Sequence, residues 1–202
     1  NTTPASATTL PNAPSGLNAT VISHTQINLS WTDNSSDEIG FYIDRASNSG
    51  FGSNLVTSTV GANVTSYSAI GLTSASTYYF RVRAYNISGP SGNSGIASAT
   101  TLHYAPTDIA LSNASVAENQ SGGTVVGNLS SSDPDVVDSF TYSLVSGSGS
   151  TDNGSFAISG TQLVTAGMFN YELKNSYSVR LRSTDAGGMT FEKAFAITII
   201  DV

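Results

Sequence analysis

The chain alternates apolar and polar residues in several stretches. Ile27, Leu29 and Trp31 alternate with Asn28, Ser30 and Thr32, the period of two expected of a strand with one buried face. The alternation starts at Leu17, and Asp33-Asn34-Ser35-Ser36 turns the chain into a strand at Phe41-Tyr42-Ile43. Further strands are predicted over 55–60, 64–70 and 78–85; the last is the longest of this half, and its outer face carries Arg81 and Arg83. Residues 102–107 show no regular pattern. Beyond them short strands are predicted over 109–111, 124–126, 140–144, 156–158 and 163–164. Tyr177, Val179 and Leu181 then alternate with Ser178, Arg180 and Arg182, and Phe195, Ile197 and Ile199 with Ala196, Thr198 and Ile200. Strands at this spacing, broken by Gly, Asn and Ser turns, predict antiparallel Greek-key β-sandwiches. At 202 residues there is room for two, each with its own core. The expected organisation is a linker over 1–13, a sandwich over 14–101, a short and fairly stiff joint over 102–107, and a second sandwich over 108–202, arranged end to end. Trp31 and Tyr78 are expected in the first core, and Tyr177, Val179, Phe195 and Ile197 in the second.

Composition sharpens this all-β reading. Only 10% of residues are charged, and Lys and Glu are scarce while Ser, Thr, Gly and Asn abound, which disfavours helices. Residues 1–101 hold three basic and four acidic groups, and residues 102–202 hold four basic and ten acidic ones, so −1 and −6 of the net −7 fall to the two halves. The second half therefore repels nucleic acid and attracts cations. With no cysteine there is no disulfide framework, thiolate metal site or cysteine nucleophile. No apolar run reaches the roughly 18 residues of a membrane span, so direct membrane insertion is not expected. The first residues, rich in Thr, Ala, Ser and Pro, read as an interdomain tether without the regions of a signal peptide, and the chain as a piece of something longer.

Candidate chemistry concentrates in Ser132-Asp133-Pro134-Asp135-Val136-Val137-Asp138, three carboxylates in six residues. Such a run repels itself unless a cation sits in it, and its all-oxygen donor set suits Ca²⁺. Further acids fall where strands should begin or end: Glu118, Glu172, Asp185 and Asp201.

Two family resemblances attach to these residues. Pro14, Leu17, Trp31, Gly71-Leu72 and Tyr78-x-Phe80-Arg81-Val82-Arg83-Ala84-x-Asn86 with Gly89 resemble a fibronectin type III domain over about 11–101. The Leu72-to-Tyr78 spacing is that of a tyrosine corner, in which the phenol hydroxyl bonds to backbone near the preceding turn. The turn from Asn86 to Asn93 has no Arg-Gly-Asp, so integrin binding does not carry over. Residues 105–202 resemble a bacterial cadherin-like repeat through Ala117-Glu118-Asn119, Asp133-x-Asp135, Asn170-x-Glu172, Asp185 ahead of Gly187, and Ile200-Asp201-Val202. That resemblance implies calcium sites: Asp133, Asp135, Asp138 and Asp185 in one cluster at the pole facing the joint, and Glu118, Asn170, Glu172 and Asp201 in another at the carboxyl pole. The sequence departs from the family in the joint, where Thr101, His103 and Tyr104 stand in place of acidic or amide oxygens.

Catalysis finds no support. The only histidines, His24 and His103, are read as surface residues in a turn and in the joint, and no nucleophile elbow, phosphate loop or zinc-binding histidine pair accompanies them. Ten Asn-x-Ser/Thr acceptors occur, with Asn34 and Asn86 placed in turns and open to glycosylation. The expectation is a non-catalytic adhesion or spacer segment of an extracellular, cell-surface or secreted protein, stiffened by calcium at the cadherin-like half. Its partners are neighbouring domains of the same chain, with copies of itself or surface polysaccharide as further candidates. Two other readings stand beside it: accessory modules of a secreted carbohydrate-active enzyme, and a segment of an extracellular filament.

Overall fold

A computed structural model describes residues 9–202. Among them there is no α-helix, only strands and a single 3-10 turn at Asn153–Ser155, and the chain divides into two compact units, Asn1–Leu102 and His103–Val202.

The first unit holds β1 (Ser15–Ser23), β2 (Gln26–Thr32), β3 (Gly40–Ala46), β4 (Val56–Gly61), β5 (Ser66–Ala69), β6 (Thr77–Asn86), β7 (Gly89–Pro90) and β8 (Ala97–Thr100). One sheet runs β1-β2-β5; the other runs β4-β3-β6-β7, with β8 also paired to β6. The period-two pattern explains the packing, because each strand gives alternate side chains to the space between the sheets. Ile27, Leu29 and Trp31 of β2 meet Phe41 and Ile43 of β3 and Phe80, Val82 and Ala84 of β6 in one buried cluster. Trp31 lies against Phe41, ring centroids 5.6 Å apart. The tyrosine corner is present: the Thr73 N–H donates to Tyr78 Oη at 2.9 Å above a buried Leu72. That bond keeps Tyr78 half-buried beside the core, with the Arg45 guanidinium over its ring at 5.4 Å.

The second unit holds β9 (Asp108–Leu111), β10 (Ser115–Ala117), β11 (Val125–Ser132), β12 (Thr141–Leu144), β13 (Phe156–Ser159), β14 (Gln162–Thr165), β15 (Ser176–Thr184) and β16 (Thr190–Ile200). Its sheets run β10-β16-β15-β12 and β13-β14-β11-β9. Ile109, Val126, Leu129, Leu163, Val179, Leu181, Ile197 and Ile199 form its core. Val179 and Ile197 are fully buried, whereas Tyr177 and Phe195 are half-buried and flank the cluster. The ring of Tyr177 packs with the core rings of Phe156 and Phe169 and under the Lys174 ammonium.

Several expectations are corrected. Residues 9–13 are not a free linker: Asn12 Nδ2 donates to the Asn34 carbonyl, and Asn34 Nδ2 to the Ala13 carbonyl, both at 2.9 Å, tying this segment to the first sandwich; residues 1–8 of that linker lie outside the described residues. Asn86 is not an open acceptor, being 7% exposed, with its Nδ2 donating to the Thr9 carbonyl and to Asp37 Oδ2. β10 goes unnoticed in the sequence because three residues with one valine make no periodic signal; it is fixed by parallel pairing to β16, Ser115 opposite Thr198 through Ala117 opposite Ile200. Leu102 and Tyr104 are exposed. The backbone there is held at Tyr104, whose N–H donates to Asp135 Oδ2 at 3.0 Å.

Candidate metal centre

The site is assembled at one end of the second unit from three segments. β11 ends at Ser132, and the loop that follows carries Asp133, Asp135 and Asp138. The β15–β16 hairpin, in register from Ser176 opposite Thr198 to Thr184 opposite Thr190, turns through Asp185-Ala186-Gly187-Gly188-Met189. The third segment is His103-Tyr104. Pro134 stiffens the loop, and the hairpin turn closes through Asp185, whose N–H donates to the Met189 carbonyl at 3.0 Å.

Each of the four carboxylates has one oxygen held by a backbone N–H and the other left over. Asp133 Oδ1 accepts from the Asp135 N–H (2.8 Å), Asp135 Oδ2 from Tyr104 (3.0 Å), Asp138 Oδ1 from Ser139 (2.6 Å) and Ala186 (3.1 Å), and Asp185 Oδ1 from Met189 (2.7 Å). The opposite oxygens, Asp133 Oδ2, Asp135 Oδ1, Asp138 Oδ2 and Asp185 Oδ2, are shielded from solvent and have no hydrogen-bond partner. Asp135 and Asp185 are each only 6% exposed. Asp133, Asp135 and Asp138 bring ligand atoms within 4.8 Å of one another, and so do Asp138, Asp185 and His103. Burial first, and then the charges of Asp135, Asp138 and Asp185, push the Asp133 carboxyl above its usual range, against the hydrogen bond it accepts from Asp135.

No lysine or arginine balances this charge. All four basic residues of the second unit are already taken: Lys174 by Asp152, Arg180 and Arg182 by Glu192, and Lys193 by Asp108. The remaining seven acids, Glu118, Asp133, Asp135, Asp138, Glu172, Asp185 and Asp201, all fall in two clusters. Buried, unpartnered carboxylate oxygens with no lysine or arginine beside them are costly on their own and fit a hard divalent ion.

The second cluster differs in character. Glu118 is 3% exposed and accepts the Tyr171 N–H through Oε2 at 2.9 Å, but Glu172 and Asp201, which lie within 4.8 Å of it by their ligand atoms, are exposed. Asn170 is exposed too, and its side-chain oxygen accepts the Leu173 N–H at 2.9 Å.

The structure thus brings together the acids expected in each cluster and adds one residue that the sequence does not flag. His103 is not a surface histidine. Its Nδ1 is shielded, lies 3.6 Å from Asp135 Oδ2 and 3.8 Å from Asp138 Oδ2, and has no hydrogen-bond partner. A fully buried Asp44 also goes unflagged in the first unit; there Arg81 Nε donates to its Oδ2 at 2.9 Å, Arg83 stands 3.5 Å away, and Thr57 Oγ1 donates to Oδ1 at 2.7 Å.

These features define an all-β chain of two sandwich modules, the second of which carries a buried acidic site. Residues 12–100, the first module, match the family model of the fibronectin type III domain. No curated protein matches the chain. Among solved structures it is similar to the FN5 domain of Drosophila Lar, at 22% identity over 46% of this chain and 99% of that one (TM-score 0.40). An Fn3-like protein from Clostridium thermocellum is similar at 25% identity over 48% and 97% of the two chains (TM-score 0.38). A beta-1,2-glucanase from Parabacteroides distasonis is similar at 24% identity over 50% of this chain but 14% of its own (TM-score 0.42).

Proposed function

We propose that this chain is a non-catalytic spacer or adhesion segment of an extracellular multidomain protein, and that its second, cadherin-like unit binds Ca²⁺ at the Asp133–Asp135–Asp138–Asp185 cluster. The observation that carries the metal reading is the row of four solvent-shielded carboxylate oxygens with no partner, in a unit whose every Lys and Arg is engaged elsewhere. The fibronectin type III match supports the spacer half, since such sandwiches commonly serve as beads in multidomain chains. The chemistry supplied by the ion is neutralisation, and the protein's part is to hold the donors: backbone N–H groups fix one oxygen of each carboxylate and leave the other turned inward. Because Tyr104 bonds Asp135, an ion at this point ties the entry of the unit to its loop and hairpin, which is how calcium stiffens it.

The test is thermal unfolding with CaCl₂ and with chelator, together with calorimetric titration. A dissociation constant of roughly 10⁻⁴ to 10⁻³ M is expected. At 10 mM Ca²⁺ that stabilises the second unit by about 1.4–2.7 kcal/mol, raising its midpoint by at least ~5 °C. Identical midpoints in calcium and chelator, with no heat on titration, would overturn the metal reading.

A further inference from the structure

His103 gives the site a donor that a purely calcium-binding centre does not need. We propose that the pole of the second unit is a mixed nitrogen–oxygen site, in which His103 Nδ1 joins Asp138 and Asp185 as a direct ligand, so that it prefers a first-row divalent ion of the Mn²⁺ class over Ca²⁺. This rests on the metal reading above and concerns which ion the same donors select.

Three observations carry it. Nδ1 is a strong polar atom, removed from solvent and without a hydrogen bond, although two carboxylate oxygens lie 3.6 and 3.8 Å away. Those separations are too long for N–H···O bonds and suit two groups facing a common ion. Second, His103, Asp138 and Asp185 offer ligand atoms all within 4.8 Å of one another, and two donors that share an ion at about 2.1–2.4 Å can be no more than about 4.8 Å apart. Third, the ring is seated. Its Cγ lies where a side chain at Gly187 would begin, 2.4 Å from an ideal Cβ built on that glycine, so the hairpin that supplies Asp185 also makes room for the imidazole. Lone imidazoles on a surface need no such seat.

Donor chemistry decides the metal. Ca²⁺ takes oxygen almost exclusively, whereas imidazole nitrogen suits first-row transition ions, and carboxylates with water suit Mn²⁺. One nitrogen beside the carboxylates of Asp138 and Asp185 is a set that Mn²⁺ accepts without loss, while Ca²⁺ must forgo a ligand or leave Nδ1 unpaired.

The experiment uses the full chain at pH 8, titrated calorimetrically with Mn²⁺ alone and with Ca²⁺ alone, and compares wild type with His103→Ala and His103→Asn. The expected result is Mn²⁺ binding about 10-fold tighter than Ca²⁺ in the wild type. His103→Ala should abolish that preference and change Ca²⁺ affinity by less than about 3-fold. His103→Asn, which offers an oxygen instead, should favour Ca²⁺. Pulsed electron paramagnetic resonance of the Mn²⁺ complex reads the bond directly: a nitrogen coupling is expected in the wild type and absent in both variants. Ca²⁺ binding without a Mn²⁺ preference and without a nitrogen coupling would overturn this inference while leaving the calcium reading intact. Binding of neither ion would overturn both. Retention of melting transitions by the variants separates a lost ligand from a lost fold.

Discussion

The two units bury carboxylates and solve the resulting problem differently. In the first, Asp44 is paired within the sheet: β3 and β6 place it directly opposite Arg81, and Arg81 and Arg83 are both within ion-pair distance. Those guanidiniums are in turn covered by rings, Arg81 4.2 Å above Phe51 and Arg83 5.2 Å above Tyr42. At Asp44 the first module thus supplies its own counter-charges. The second unit gathers four carboxylates where β11 ends and β15 turns into β16, and spends none of its own Lys or Arg on them. A buried pair supplied by the chain serves one fold at any ion concentration. A buried cluster left for solution to neutralise makes stability depend on a ligand.

The sharpest way to break this contrast is to make the same substitution in both places. Asp44→Asn removes the charge that balances Arg81 and Arg83, and is expected to destabilise the first unit by about 2–3 kcal/mol. Asp135→Asn keeps the shape and can still accept the Tyr104 N–H, yet it removes one of four mutually repelling charges. In chelator it should leave the second unit as stable or more stable, by up to about 1 kcal/mol, and in calcium it should erase the metal-dependent gain. Denaturant unfolding of both variants, with and without Ca²⁺, decides the matter; two losses of equal size in chelator would mean that the cluster is held together by the protein alone.

Much of this was readable in the chain. Alternation marks β2, β6, β15 and β16 because each has one face in a core, and the acid spacing around Pro134 marks the loop because like charges so close need an explanation. Asp44 and His103 were not readable, for one shared reason. Asp44 meets Arg81 only through the register of two strands 37 residues apart, and His103 meets Asp138 and Gly187 only after the hairpin has folded back. Neither contact leaves a local pattern, since a lone charge in a strand and a lone histidine in a joint look like surface residues until a partner is assigned. The half-burial of Tyr177 and Phe195 has a similar origin: period two tells which face a residue takes, but not how near the edge of the core it lies.

A second, smaller effect separates the acids that the second unit balances from those it does not. The hydrogen bond from Arg182 and then that from Arg180 hold Glu192 below its usual range, and Lys174 and Lys193 do the same for Asp152 and Asp108. A carboxyl depressed in the folded state binds its proton first in the unfolded chain. It therefore contributes fully above the ordinary carboxylate pKa, and that contribution is lost as pH falls through the depressed value. The second unit's midpoint should thus fall on acidification below about pH 4, with a shallower slope in Glu192→Gln. These pairs are at the surface, so 1 M NaCl should flatten the slope as well. A steep acid transition unchanged by both would place its origin elsewhere.

The smallest expected effect ranks the two acidic clusters against each other. Glu118 is buried and its Oε2 is already satisfied by the Tyr171 N–H, while Glu172 and Asp201 face solvent. Water hydrates these two well enough that an ion gains little by replacing it, and their side-chain freedom is lost on binding. At the other cluster the four free oxygens are out of solvent, so an ion relieves a cost that water cannot. Glu172→Gln should accordingly change the calcium-dependent stabilisation by less than about 0.5 kcal/mol, against the full loss in Asp135→Asn. Titration calorimetry of the two variants side by side measures this, and a loss of equal size in Glu172→Gln would show that the buried cluster is not the stronger site.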